Sequence, residues 1–320
     1  MIPFGTDAAG RAVHRLPLSG HGLSVDLLTR GAILRAVRLD GVERNLTLGS
    51  DELADYDGAM RYFGAIIGPV ANRIAGARAT IDGAEYRFSA NHHRALLHSG
   101  KHGTQFKVWD VIETAPDAAT LAIDLPDGSD GFPGNRRIEA RWSLHAPATL
   151  RLELSASTDE PTLMNPVNHS YWNLTGAPTI RGQLLRVASE HWLPTDDESL
   201  PTGEIAPSAG SSRDFRAPRP LEPGEPPLDH NFCLSQDDAG LREVMELTGG
   251  GISLRMATTA PGLQVYDGRD TDKAGLAAYA GLAIEAQRWP DAPHHPAFPS
   301  FRLLPSERFR QVTEWRFAAL

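Results

Sequence analysis

Residues 138–154 read Ile-Glu-Ala-Arg-Trp-Ser-Leu-His-Ala-Pro-Ala-Thr-Leu-Arg-Leu-Glu-Leu. Ile138, Ala140, Trp142 and Leu144 fall on alternate positions, as do Leu150, Leu152 and Leu154. Successive side chains of a strand point to opposite faces. This period-two pattern therefore predicts half-buried strands, apolar toward a core and polar toward water or a cleft. The pattern recurs at Leu23, Val25 and Leu27, with Ser24 and Asp26 on the other face, and at Leu121, Ile123 and Leu125. Asp82-Gly83 stands between Ala79-Thr80-Ile81 and Tyr86-Arg87-Phe88. That is a hairpin signature, because both turn positions tolerate positive φ.

Thirty glycines and 24 prolines cut the chain into short pieces. Only Asp51–Tyr56 and Asp238–Glu246 read as helical turns. Many short strands with frequent turn signals predict an all-β sandwich or barrel, and no fixed-period repeat points to a propeller or solenoid. The segment from Pro194 to Pro227 is rich in Pro, Gly, Ser and Glu. It reads as a linker or as a long loop folded over one sandwich. Strand-like alternation of the same character on both sides favours a single domain over residues 1–320.

The hydrophobic fraction of 41% and charged fraction of 22% are those of an ordinary globular protein. A net charge of −9 argues against nucleic acid and anionic membrane as partners, since both call for clustered Lys and Arg. The one cysteine, Cys233, leaves no intramolecular disulfide and no Cys-based metal site. The N-terminus lacks the pattern of a signal peptide, and no apolar run is long enough to span a bilayer, so the expected location is the cytoplasm.

The stretch Asn165–Leu174, Asn-Pro-Val-Asn-His-Ser-Tyr-Trp-Asn-Leu, departs from alternation and concentrates hydrogen-bonding side chains around His169. Histidine titrates near neutral pH and serves as a general acid or base, although a histidine in such company is more often a hydrogen-bonded structural residue. In Leu282-Ala283-Ile284-Glu285-Ala286-Gln287, a strand would put Leu282, Ile284 and Ala286 on one face and Ala283, Glu285 and Gln287 on the other. A carboxylate in such a strand is either on a solvated sheet face or in a polar cavity, and burial there would raise its pKa toward that of a useful base. Asp229 either ties down a turn or accepts hydroxyl hydrogen bonds. Gln264 faces away from Leu263 and Val265. Asn72-Arg73 follow the Gly68-Pro69 break, and Arg73 offers a rigid multi-donor fork.

His98 lies close in sequence to His92, His93 and His102, but the spacing matches no metalloprotease helix and no metal is expected. His294-His295 sit in a Pro-rich loop and read as surface. Dinucleotide loop, phosphate-binding loop and nucleophile-elbow motifs are absent. What remains is a set of groups suited to proton transfer on a polyhydroxylated ligand.

Taken together, eight segments resemble the aldose 1-epimerase (galactose mutarotase) family, in the family's order and over nearly the whole chain. They are Gly64–Ile74 (GAIIGPVANRI), Asn91–Gly100 (NHHRALLHSG), Asp127–Asn135 (DGSDGFPGN), Asn165–Leu174 (NPVNHSYWNL), Leu193–Ile205 (LPTDDESLPTGEI), Asp229–Phe232 (DHNF), Pro261–Tyr266 (PGLQVY) and Ile284–Ser300 (IEAQRWPDAPHHPAFPS). The resemblance implies a large antiparallel β-sandwich of the galactose mutarotase-like supersandwich type. It puts the general base on Glu285, the general acid on His169 and the assisting histidine on His98. Sugar contacts fall on Asn72, Arg73, Tyr171, Asp229 and Gln264. The implied reaction interconverts the α and β anomers of a free aldose such as galactose or glucose, without cofactor or metal, in a monomer or homodimer.

Three departures touch sugar specificity. Pro69 stands where the family usually has Arg, Ser99 replaces a usual Gly, and Gly103–Trp109 reads GTQFKVW. Rival readings are a variant acting on hexose 6-phosphates, a non-catalytic sugar-binding relative, and a glycoside hydrolase using Glu285 and Asp229 as its two carboxylates.

Overall fold

A computed structural model describes residues 1–272 and 274–320. Its elements are nearly all β, and every ladder between its strands is antiparallel. The largest sheet has nine strands. Its order is Asp110–Ala115, Ala118–Leu125, Arg136–His145, Thr149–Thr158, Phe309–Ala319, Ile252–Thr258, Arg242–Gly249, Leu184–Val187 and Arg219–Pro220. A six-stranded sheet runs Tyr171–Trp172, Leu282–Gln287, Gly262–Tyr266, Asp229–Cys233, His191–Trp192 and Ala206–Pro207. A four-stranded meander, Ile2–Thr6, Ala12–Gly20, Leu23–Leu28 and Ile33–Leu39, completes the main layers.

The alternating residues form the core as their spacing predicts. Ile138, Ala140, Trp142, Leu144, Leu150, Leu152 and Leu154 are all buried in one cluster with Leu23, Val25, Leu27, Leu121, Ile123 and Leu125. Each such Leu or Ile contributes about 1.5–3 kcal/mol by leaving water. The Asp82-Gly83 hairpin is present, with φ values of 48° and 83° at the turn between Arg78–Ile81 and Ala84–Arg87.

Leu282, Ile284 and Ala286 enter the same core from the six-stranded sheet, where Trp172 packs against Trp315 and Phe317 of the nine-stranded sheet. Gln311 Nε2 of the nine-stranded sheet donates to Ala286 O at 2.9 Å, tying that sheet to the strand that carries Glu285. The other face of this strand, bearing Ala283, Glu285 and Gln287, is thereby turned away from the main core.

The single α-helix among the described residues is Leu53–Asp57, overlapping the expected turn at Asp51–Tyr56. The expected helical turn at Asp238–Glu246 is corrected: Arg242–Gly249 is a strand. Its pairing with Ile252–Thr258 decides the outcome. Gly250 and Gly251, with φ of 58° and 76°, close a tight hairpin, and a bulge between Glu243 and Met245 lets Val244 and Met245 both be buried. Helix-like spacing in this short segment yielded to that cross-strand pairing.

The segment between Pro194 and Pro227 supplies an edge strand to two sheets, Ala206–Pro207 and Arg219–Pro220. It also buries Phe215 and Leu221 in the principal core. No helix among the described residues is long and apolar enough to cross a membrane.

Candidate active site

The strand register assembles the site. Asn231 pairs with Gln264 and Gln264 with Glu285, forming one cross-strand row. The adjacent row on the same face is Asp229, Tyr266, Ala283 and Tyr171. Two rows of one sheet face therefore hold Glu285, Gln264, Asp229 and Tyr171, residues widely separated along the chain.

Two zipped loops bring the histidines onto this face. Residues 64–71 run alongside 165–169. Ile66–Ile67 pairs with Val167–Asn168, Gly64 N donates to His169 O at 2.9 Å, and His169 N donates to Ala65 O at 2.9 Å. Gly64 is required at this approach: its φ is 67°, and a Cβ there would lie 2.2 Å from Leu34 O. Farther along, Arg73–Ile74 pairs with Leu96–Leu97, which delivers His98 beside Asn72. His98 N donates to Asn72 O at 2.9 Å, and Asn72 N donates to His98 Nδ1 at 3.1 Å. With Nδ1 accepting, a neutral His98 carries its proton on Nε2.

The resulting cavity has a volume of about 240 Å³. Asn72, Arg73, His98, His169, Tyr171, Asp229 and Glu285 all line it, with Tyr62, Phe63 and Tyr266 as aromatic wall. Gln264 lies just beneath, donating from Nε2 to Asp229 Oδ1 at 2.7 Å, while Arg73 Nη2 approaches Asp229 Oδ2 at 3.4 Å. All eight residues expected at the site are thus gathered around one cavity.

At its floor His169 Nε2 lies 3.5 Å from Glu285 Oε1, both side chains being almost fully buried. Burial pushes the Glu285 carboxyl well above the ordinary range, helped by the negative charge of Asp229 and opposed by Arg73. Burial likewise lowers His169 to about 4 and holds His98 well below the usual value, with His169 adding to the second shift. Burial thus disfavours the charged form of both groups, so that Glu285 ionises less readily and His169 protonates less readily than free side chains, and the close pair titrates as a coupled unit. Glu285 Oε2, His169 Nδ1, Gln264 Oε1 and Arg73 Nε are buried without a protein partner. Such a concentration of unpaired buried polar atoms marks a site for a polar ligand.

The remaining histidines divide. His92 lines the cavity, His93 and His102 are exposed, and His294 and His295 pair with the buried Asp291. Among the described residues no group of three or more His, Cys, Asp or Glu side chains is arranged to hold a metal ion.

Two of the departures have structural roles. Ser99 Oγ donates to Val70 O and accepts from Val70 N, both at 2.8 Å, pinning the loop that carries Asn72. Gln105 Nε2 donates to His98 O at 3.0 Å, supporting His98 from behind.

Sequence reasoning missed the aromatic wall. Tyr266 was accessible from alternation, since it shares a strand face with Gln264. Tyr62 carried no such signal, because it sits in an irregular turn whose orientation only the zipped loops define.

A model of the family described as Aldose 1-epimerase matches residues 16–316. The chain belongs to the aldose 1-epimerase family. Galactose mutarotase of Rattus norvegicus is 33% identical over 97% of this chain and 96% of its own length. Aldose 1-epimerase of Escherichia coli K12 is 30% identical over 93% of each chain. Among solved structures, a GalM/aldose epimerase homologue from C. elegans superposes with a TM-score of 0.89 at 26% identity, covering 97% of this chain and 100% of that one. Galactose 1-epimerase from Lactobacillus acidophilus gives 0.87 at 27% identity, covering 99% and 98%. This aldose 1-epimerase family chain therefore has the antiparallel galactose mutarotase-like β-sandwich.

Proposed function

We propose that this protein is an aldose 1-epimerase, an isomerase that interconverts the α and β anomers of a free aldose such as galactose or glucose. The observation that carries the reading is the His169–Glu285 pair, 3.5 Å apart at the floor of a cavity of about 240 Å³. Hydroxyl-binding groups surround that pair, and the volume suits one monosaccharide.

In the proposed mechanism the reactive form is the ion pair, with Glu285 ionised and His169 protonated. Sugar oxygens hydrogen-bonded to both groups favour that form, replacing water around the charges. Glu285 takes the proton from the C1 hydroxyl as the bond from C1 to the ring oxygen breaks. His169 gives its Nε2 proton to the departing ring oxygen. The product is the open-chain aldehyde. After rotation about C1–C2 the ring oxygen attacks the other face of C1, His169 recovers its proton, and Glu285 returns its proton to the former carbonyl oxygen. Each proton goes back to its origin, so one turnover leaves the enzyme unchanged.

The two groups act on two oxygens bonded to the same carbon, which suits side chains this close together. Each positioned transfer is typically worth about 10²–10⁴ in rate. His98, with its Nε2 proton, assists as a neutral donor. Asn72, Arg73, Tyr171, Asp229 and Gln264 hold and orient hydroxyls. The reading takes residues 1–320 as one domain acting in the cytoplasm, with no cofactor.

Polarimetry tests the reading. Freshly dissolved α-galactose, α-glucose, arabinose, xylose and fucose are followed with and without the protein. Faster approach to the equilibrium rotation with at least one sugar is expected, and no acceleration with any of them would overturn it.

A further inference from the structure

His169 Nδ1 is buried without a hydrogen-bond partner on any other residue, so no neighbouring carboxylate or carbonyl orients the imidazole from behind, as usually happens for a catalytic histidine. Aromatic packing holds the ring instead. The Tyr62 ring lies 6.0 Å from it at an interplanar angle of 27°, and Tyr171 lies 5.1 Å away at 35°. Tyr62 also packs on His98 at 4.9 Å, and His98 meets His169 edge-on at 5.2 Å.

The backbone makes the placement of Tyr62 a built feature. Ala65 N donates to Tyr62 O at 3.2 Å, and Gly64 and Ala65 are the two residues hydrogen-bonded to the His169 main chain. Tyr62 and His169 thus share one rigid frame. The Arg61 guanidinium lies over the Tyr62 ring, 5.1 Å from its centroid.

We propose that Tyr62 is a positioning residue for the acid–base pair: its ring fixes the His169 imidazole and stabilises the imidazolium through its π face. The inference rests on the assignment of His169 as the acid in the proposed reaction. Imidazolium forms here in a buried setting that disfavours it. A ring face about 6 Å from a cation attracts it, and more strongly when both are desolvated. The other ionisable or charged groups lining the cavity with His169 are Glu285, His98, His92, Arg61, Arg73, Asp229, Asp270, Tyr171 and Tyr266. His98 holds no charge near neutral pH, and Asp229 favours the cation electrostatically. The aromatic faces supplement that carboxylate.

The test compares Tyr62→Phe, Tyr62→Leu and Tyr62→Trp by polarimetric pH–rate profiles and by NMR titration of His169 in the sugar-free protein. Tyr62→Phe keeps the ring and should stay within about threefold of wild-type kcat. Tyr62→Leu should lose on the order of tenfold in kcat. It should also move the acidic limb and the imidazole titration to lower pH while leaving the basic limb in place. Tyr62→Trp, with a stronger face, should move the titration the other way, and it keeps the test decisive if the Leu variant does not fold.

An unmoved His169 titration in both the Leu and Trp variants would overturn the proposal, as would equal losses in Phe and Leu. The titration needs no sugar, and the kinetics are read against an active wild type. Failure of the Tyr62 role is therefore distinct from failure of the epimerase reading.

Discussion

His169 Nε2 and Glu285 Oε1 lie 3.5 Å apart, delivered by a loop and a strand that meet only in the folded protein. Their burial sets the properties of the site. Neither can hold a charge alone without cost.

That arrangement predicts a trade of stability for activity at Glu285. Folded Glu285 binds its proton more tightly than the unfolded chain does. Stability is therefore lost as pH rises from the ordinary glutamate range toward the raised folded value. Glu285→Gln removes this cost. Its melting temperature, compared at about pH 5 and about pH 8, should exceed wild type by more at the higher pH. Paired thermal melts decide it, and a variant less stable at both pH values would contradict the assignment. His169 acts in the opposite range: its value of about 4 means stability is lost as pH falls below 6.5 toward 4.

Asp229 should control both binding and titration. Gln264 and Arg73 fix its carboxylate, and its charge opposes ionisation of Glu285. Asp229→Asn should raise KM about tenfold or more through the lost charged hydrogen bond. It should also move the basic limb of the pH–rate profile to lower pH, because Glu285 then ionises more readily. A basic limb that stays put or moves upward would remove Asp229 from the electrostatics of the pair.

Ser99 offers a test away from the sugar. It sits at φ 58° and both donates to and accepts from the Val70 backbone. Ser99→Ala leaves the buried Val70 N unpartnered and should destabilise by about 1–3 kcal/mol in urea unfolding. Ser99→Gly should lose less, because glycine is at ease with positive φ. Equal losses would mean that backbone conformation plays no part.

Much of this organisation was legible in the chain. Alternation at Ile138–Leu154 and at Leu282–Gln287 depends only on the two-residue period of a strand. Alternation separated the core face of the Glu285 strand from its opposite face, but not whether that opposite face met water or a cavity. Arg242–Gly249 was misread because a bulge breaks that period and buries Val244 and Met245 side by side. The family motifs carried Glu285, His169, His98 and the residues proposed to hold sugar hydroxyls, but not how they meet. That depends on the pairing of Gln264 with Glu285 and on the zipping of residues 64–71 to 165–169, which are long-range contacts. Tyr62 was illegible for the same reason.

The central claim is that Glu285 and His169 transfer protons in anomer exchange. Its most direct test is the optical rotation of freshly dissolved α-galactose, or the best sugar of the panel, with wild type and with Glu285→Gln at equal concentration. Sugar binding is measured in parallel by calorimetry. Glu285→Gln should still bind sugar but lose about 10²–10⁴ in kcat. A variant that binds sugar and turns over near the wild-type rate would contradict it.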